Sequence, residues 1–105
     1  MENDYKIVIE KYAQKDLINI YDYISNTLCN NEAAIKLLNR INDKFEIIKS
    51  FPKSAPIINN EYVKNKNIRK LLIDNYIAFY EIDEINHEIR IVRIIYGMMN
   101  YLDVL

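Results

Sequence analysis

The sequence is poor in the residues that break, staple or metallate a chain. Among 105 residues there is one glycine (Gly97), two prolines (Pro52 and Pro56), one cysteine (Cys29), one histidine (His87) and no tryptophan. With a single glycine there is no phosphate-cradling loop and no nucleophile elbow, and no EF-hand acid pattern is present. One cysteine excludes an intramolecular disulfide. Cys29, between Leu28 and Asn30, lacks the spacing of a zinc ligand, so a packed free thiol in a reducing cytoplasm is the expectation. No metal or cofactor is implied. No apolar run approaches the roughly 18 residues a membrane span requires. The start, Met1-Glu2-Asn3-Asp4, is acidic and leads straight into a strand-like segment, which is not the pattern of a signal peptide. A soluble protein that stays in the cytoplasm is expected.

What the chain does have is apolar surface and charge in globular proportion. Half of the residues are hydrophobic and 28% are charged, which separates it from disordered chains. The length suits one domain over residues 1–105. The formal net charge of −1 hides a gradient. Residues 1–48 carry six Lys/Arg against eight Asp/Glu, and residues 71–105 carry two against six. Between them, Lys49, Lys53, Lys64, Lys66, Arg69 and Lys70 face only Glu61, a local balance of 6 − 1 = +5. Such a belt suits phosphate or an acidic partner, and equally a solvated loop.

Periodicity divides the chain into elements. Residues 5–10 are rich in β-branched side chains and read as a strand. From about Ala13 the spacing of Leu17, Ile20, Tyr21, Ile24 and Leu28 marks one face of a helix. Asn30-Asn31 interrupts it, with Asn31 suited to cap the next helix, whose face is Ala34, Leu37, Leu38, Ile41, Phe45 and Ile48. So short a break folds the two helices into an antiparallel hairpin. Phe51-Pro52 ends the second helix, and a polar loop runs to about Asn67. Three strands follow at 68–73, 76–82 and 87–96, with Asp74-Asn75 as a two-residue turn. Both alternations of the last two strands are apolar. A sheet with helices on one face should alternate in and out, so the second face also needs cover, from a partner or from the tail at 98–105.

The order strand, helix hairpin, proline-containing loop and three-stranded meander resembles the RelE/ParE toxins. Ala13-x-x-Asp16-Leu17-x-x-Ile20-x-Asp22-Tyr23-Ile24 is similar to their first helix, and Phe51-Pro52 with Pro56 to their helix exit. Arg69-x-Leu71 and Asn75-Tyr76-Ile77-x-Phe79-Tyr80-x-Ile82 resemble their central hairpin. Ile91-Val92-Arg93-Ile94-Ile95-Tyr96-Gly97 resembles the last strand, and Asn100-Tyr101-Leu102-x-x-Leu105 the C-terminal turn. The resemblance covers nearly the whole chain. It implies an α+β fold, with the helix hairpin on one face of a largely antiparallel four-stranded sheet.

It also implies the toxin half of a type II toxin–antitoxin pair, a growth inhibitor of the kind tied to plasmid stabilisation, neutralised by a cognate antitoxin. Operator DNA would be met only through the antitoxin. Within the superfamily, RelE-type members cut mRNA on the ribosome and ParE-type members poison DNA gyrase. Cleavage draws on several Lys/Arg with a Tyr or His. Here the position after Gly97, commonly basic in the family, reads Met98-Met99, and Leu72 stands where RelE proper has a basic residue. A sequence pI near 5.8 also disfavours binding to ribosomal RNA. The ParE-like reading is the better fit, with a ribosome-dependent mRNA endonuclease as the alternative and a non-toxic antitoxin-binding module as a third.

Arg69, Arg93, Tyr96, Lys64 and Lys66 form the expected functional face, on the side opposite the helices. Tyr76, Tyr80, Met98 and Met99 are the expected antitoxin contacts. Arg69 suits either a target contact or a structural pair with a carboxylate. Arg93, inside an apolar strand and assigned by alternation to the face of Ile91 and Ile95, suits the functional face or a buried ion pair, and the first is preferred. Tyr96 suits a phenolic acid, a stacking group or simple packing. His87, at a turn, reads as a surface residue.

Overall fold

The computed structural model describes residues 4–105, so the acidic start at 1–3 lies outside the described residues. Strand β1 (Lys6–Ile9) leads into α1 (Lys11–Asp22), which widens into a π-helical turn over Tyr23–Thr27. Helix α2 (Asn31–Ser50) is followed by β2 (Arg69–Ile73), β3 (Tyr76–Asp83) and β4 (Glu88–Tyr96), and a 3-10 turn at Tyr101–Asp103 closes the chain. The sheet order is β1-β4-β3-β2. β2–β3 and β3–β4 are antiparallel hairpins, while β1 lies parallel to β4. The sheet is therefore mixed, because the helix hairpin returns the chain to the same end before β2 begins. Among the described residues, no helix is long and apolar enough to cross a membrane.

Both helices follow their apolar spacing. Ala34, Leu37, Ile41, Phe45 and Ile48 of α2 are buried against the sheet, whereas Leu38 lies at the rim. The cap of α2 is one residue earlier than its sequence suggests. Asn30 Oδ1 accepts the Ala33 N–H at 3.0 Å, and Asn31 is the first helical residue, its Oδ1 accepting from the Ser25 hydroxyl. Cys29 takes a positive φ of 51° in this tight corner. It is exposed rather than packed, since the corner turns its side chain out of the core.

The two-sided apolarity of the strands has two causes. The first is a bulge: Phe79 pairs with Arg93 and Tyr80 with Ile91, leaving Val92 unmatched on β4. An extra residue shifts the in/out alternation by one. Ile89, Ile91 and Ile94 therefore join the core beneath the helices, while Val92 and Ile95 belong to the opposite face. The second cause is the chain's own cover. Ile68, Ile77, Phe79 and Ile95 are buried under Ile58 of the loop and Tyr101, Val104 and Leu105 of the tail. Tyr101 rests on Phe79 with ring centroids 5.6 Å apart, and its hydroxyl accepts from Asn60 Nδ2 at 3.2 Å. Of the two covers anticipated, the tail supplies this one.

Candidate functional site

Beyond Ile91, β4 outruns β1, and α1 with its π-helical turn flanks the remainder. A groove of about 670 Å³ lies between them. Ile20, Tyr23 and Leu28 form one wall; Tyr76, Ile94, Ile95, Tyr96 and Met99 form the other, with Asp16, Asn19 and Arg93 at one end. Its lining is mostly apolar with a few convergent polar groups, the usual character of a binding cleft.

At the charged end Arg93 grips Asp16 through two hydrogen bonds, Nε to Oδ2 at 2.8 Å and Nη2 to Oδ1 at 2.9 Å. Asp16 Oδ2 also accepts the Ile94 backbone N–H at 2.9 Å. The carboxylate thus takes the place of a strand neighbour where β1 has ended. Bonding to Asp16 raises the Arg93 pKa, and partial burial works against it. The preference for Arg93 on an open functional face is corrected here. Ile91 and Ile95 lie on opposite faces because of the bulge, and the guanidinium is held in the ion pair named as its alternative.

Tyr76 and Tyr96 face each other across the β3–β4 pair, edge to face with centroids 5.7 Å apart. Burial raises the Tyr76 pKa, and the neighbouring phenols of Tyr96 and Tyr23 raise it further. Three hydroxyl-bearing rings therefore share one end of the groove. Met99 is 52% exposed at its lip, and Met98, 83% exposed, points into solvent just beyond. Gly97 sits at the turn because the backbone of the β2–β3 turn comes close. Its N–H donates to the Asn75 carbonyl at 2.7 Å, and an added Cβ would lie 3.0 Å from that oxygen.

Arg93, Tyr96, Tyr76 and Met99 are thus brought together, and the other expected residues are not. Tyr80 is a correction: it is fully buried in the main core, its hydroxyl donating to the Pro52 carbonyl at 2.6 Å. With both alternations of β3 apolar, sequence alone does not tell its covered side from a contact surface. Arg69 also binds backbone rather than a carboxylate, donating to the carbonyls of Ala55 at 2.7 Å and Lys53 at 3.4 Å. It lines a separate depression with Lys53, Ile57 and Glu84. Lys66 Nζ donates to the carbonyls of Asn60 and Glu61, both at 3.1 Å, inside the polar loop, and Lys64 is exposed on the same loop. His87 stacks on Tyr5 with centroids 3.8 Å apart.

Asp16, Tyr23 and Leu28 are groove residues that the sequence places on the first helix but not in a site. Asp16 had a signal: an acid beside the apolar stripe of α1, matching an arginine unexplained within β4. Among the described residues no cluster of three or more His, Cys, Asp or Glu is placed to hold a metal ion.

The comparisons agree with this fold. No curated protein matches the sequence. Among solved structures, the chromosomal ParDE toxin–antitoxin system of P. aeruginosa aligns with a TM-score of 0.70 at 22% identity, covering 90% of this chain and 97% of that one. The toxin–antitoxin complex RelBE2 of Mycobacterium tuberculosis aligns with a TM-score of 0.61 at 15% identity, covering 89% and 98%. At these identities the likeness is one of fold. The family described as the ParE toxin of the type II toxin–antitoxin system parDE matches residues 7–101, nearly the whole sequence, and this chain belongs to that family.

Proposed function

We propose that this protein arrests growth by acting on DNA gyrase, and that an antitoxin silences it by laying a segment along the groove between α1 and β4. Both solved neighbours are toxin–antitoxin systems, which supports an antitoxin as partner. The observation that carries the choice of target is the engagement of both arginines. Arg93 is spent on Asp16, and Arg69 on the carbonyls of Lys53 and Ala55. An RNA-cleaving site would need such cations assembled around the scissile phosphate. Here they brace the fold at separate places, a state compatible with a protein that works by occupying a surface of its target.

Induction of the chain alone, with purified protein then added to gyrase and plasmid and, separately, to translating ribosomes, tests the proposal. Growth arrest with cleaved or relaxed plasmid is expected. Message cut only at translated codons would establish the ribosome-dependent endonuclease instead. Good soluble expression without arrest, together with antitoxin binding, would establish the non-toxic module.

A further inference from the structure

The groove holds a feature that apolar contact does not use. In an antiparallel pair, residues alternate between exchanging hydrogen bonds with the partner strand and pointing theirs away from it. The bond from Gly97 N–H to the Asn75 carbonyl, with the β3–β4 register, sets this phase. Gly97 and Ile95 direct their groups toward β3, and Ile94 and Tyr96 direct theirs outward, along the groove. Two of the four outward groups are engaged: the Ile94 N–H by Asp16, and the Tyr96 carbonyl by the Met99 N–H at 3.0 Å. The Ile94 carbonyl and the Tyr96 N–H remain, and no strand of the sheet lies against them, since β1 pairs only as far as Ile91.

This acceptor and donor, two residues apart, have the spacing of a parallel bridge. β1 uses the same geometry further back, where Lys6 N–H donates to the His87 carbonyl while Lys6 stands opposite Glu88. One extended residue placed opposite Ile95 would donate to the Ile94 carbonyl and accept from the Tyr96 N–H. Charge also selects the occupant. Asp16 and Arg93 cancel at the end of the groove, and the walls beyond them are aliphatic and phenolic. An ionised side chain there would lose water without a counter-charge, whereas an apolar one is accepted.

We propose that the β4 edge at Ile94–Tyr96 is a main-chain docking point for one extended residue of the antitoxin, parallel to β4, flanked by uncharged apolar side chains seated against Tyr23, Leu28 and Met99. This rests on the antitoxin reading above and adds to it the mode of recognition. Most of the register would come from backbone groups, with side chains selected for size and absence of charge.

The test uses the native chain co-purified with its cognate antitoxin as a complex. Amide hydrogen exchange is read in the free and the bound chain. The Tyr96 amide should exchange freely alone and slow by about tenfold or more in the complex, while the Ile94 amide, already held by Asp16, serves as the internal reference. In parallel, Tyr96→Ala and Tyr96→Pro both remove the ring, and only the second removes the N–H. Proline is tolerated where the amide faces away from the neighbouring strand. Tyr96→Pro should bind about tenfold more weakly than Tyr96→Ala. A complex in which the Tyr96 amide exchanges as in the free chain overturns the docking point and leaves the antitoxin reading intact. Equal affinity of two folded variants does the same. Failure of the native pair to associate overturns both.

Discussion

The two faces of the sheet are closed by different kinds of chain. Beneath the helices, Ile73, Tyr80, Ile89, Ile91 and Ile94 are sealed by continuous helical turns that satisfy their own backbone. On the other face, Ile68, Ile77, Phe79 and Ile95 are sealed by loop and tail, tied down by single bonds such as Asn60 to Tyr101 and by the loop carbonyls that Arg69 gathers. The first face carries the fold. The second is closed by segments that can open with little loss elsewhere, since irregular chain with few backbone bonds has a low local unfolding free energy. The groove lies where the first kind of cover ends, beside the part of β4 that β1 does not reach.

The contrast is easiest to break at its core. Phe45→Ala, in the middle of the α2 face, should cost about 3–5 kcal/mol, read as a lower urea midpoint at unchanged slope. Asp16→Ala should cost about 2–3 kcal/mol, because it strands a partly buried guanidinium and the Ile94 N–H together; a double-mutant cycle with Arg93→Ala should recover much of that loss. Tyr101→Ala, under the tail, should cost about 1–2 kcal/mol and speed exchange at the Ile77 and Phe79 side of the sheet without touching α2. A loss as large as that of Phe45→Ala would mean that the tail shares one cooperative core with the helices, ending the distinction.

Two smaller effects sharpen it. Burial is the first cause of the raised pKa of both Tyr76 and Tyr80, whose ordinary value is 10.0. Stability held by these neutral phenols is fully present below that value and falls as pH rises through their higher folded-state values, because the unfolded chain ionises first. Alkaline titration followed by tyrosinate absorbance and circular dichroism should show unfolding setting in above about pH 10, with a shallower fall in Tyr76→Phe. Lys64→Ala, on the exposed loop, should change stability by less than about 0.5 kcal/mol.

Much of the architecture was readable because helical and strand periods are local. The α2 face lies where its spacing puts it, and the strands match to within a residue. The site was only partly readable. Alternation alone groups Arg93 with both Ile91 and Ile95, because the run of Ile and Val around it hides a one-residue slip; it keeps the face of Ile95 only, and its pairing with Asp16 spans 77 residues. Tyr80 reads as a contact residue from the sequence because nothing local ranks two apolar faces. The engagement of Arg69 with Ala55 spans a loop whose path is set by contacts far apart in sequence. Tyr96 and Met99 were found, yet their wall partners Tyr23 and Leu28 lie more than sixty residues away, and only the folded chain brings them together.

The unmatched Val92 gives β4 something like a reading frame. Before it, odd-numbered residues face the helices, as Ile89 and Ile91 do; after it, even-numbered ones do, as Ile94 does. Deleting Val92 would restore a regular ladder without turning the later residues over, since Arg93 already stands opposite Phe79 and Ile94 opposite Ala78. Ile94 would stay beneath the helices, Ile95 on the other face, and the outward amides would still be those of Ile94 and Tyr96. For divergence within such a family, a single-codon deletion at this position would keep the groove, whereas the loss of a residue between Ile94 and Tyr96 would change which side chains and amides line it.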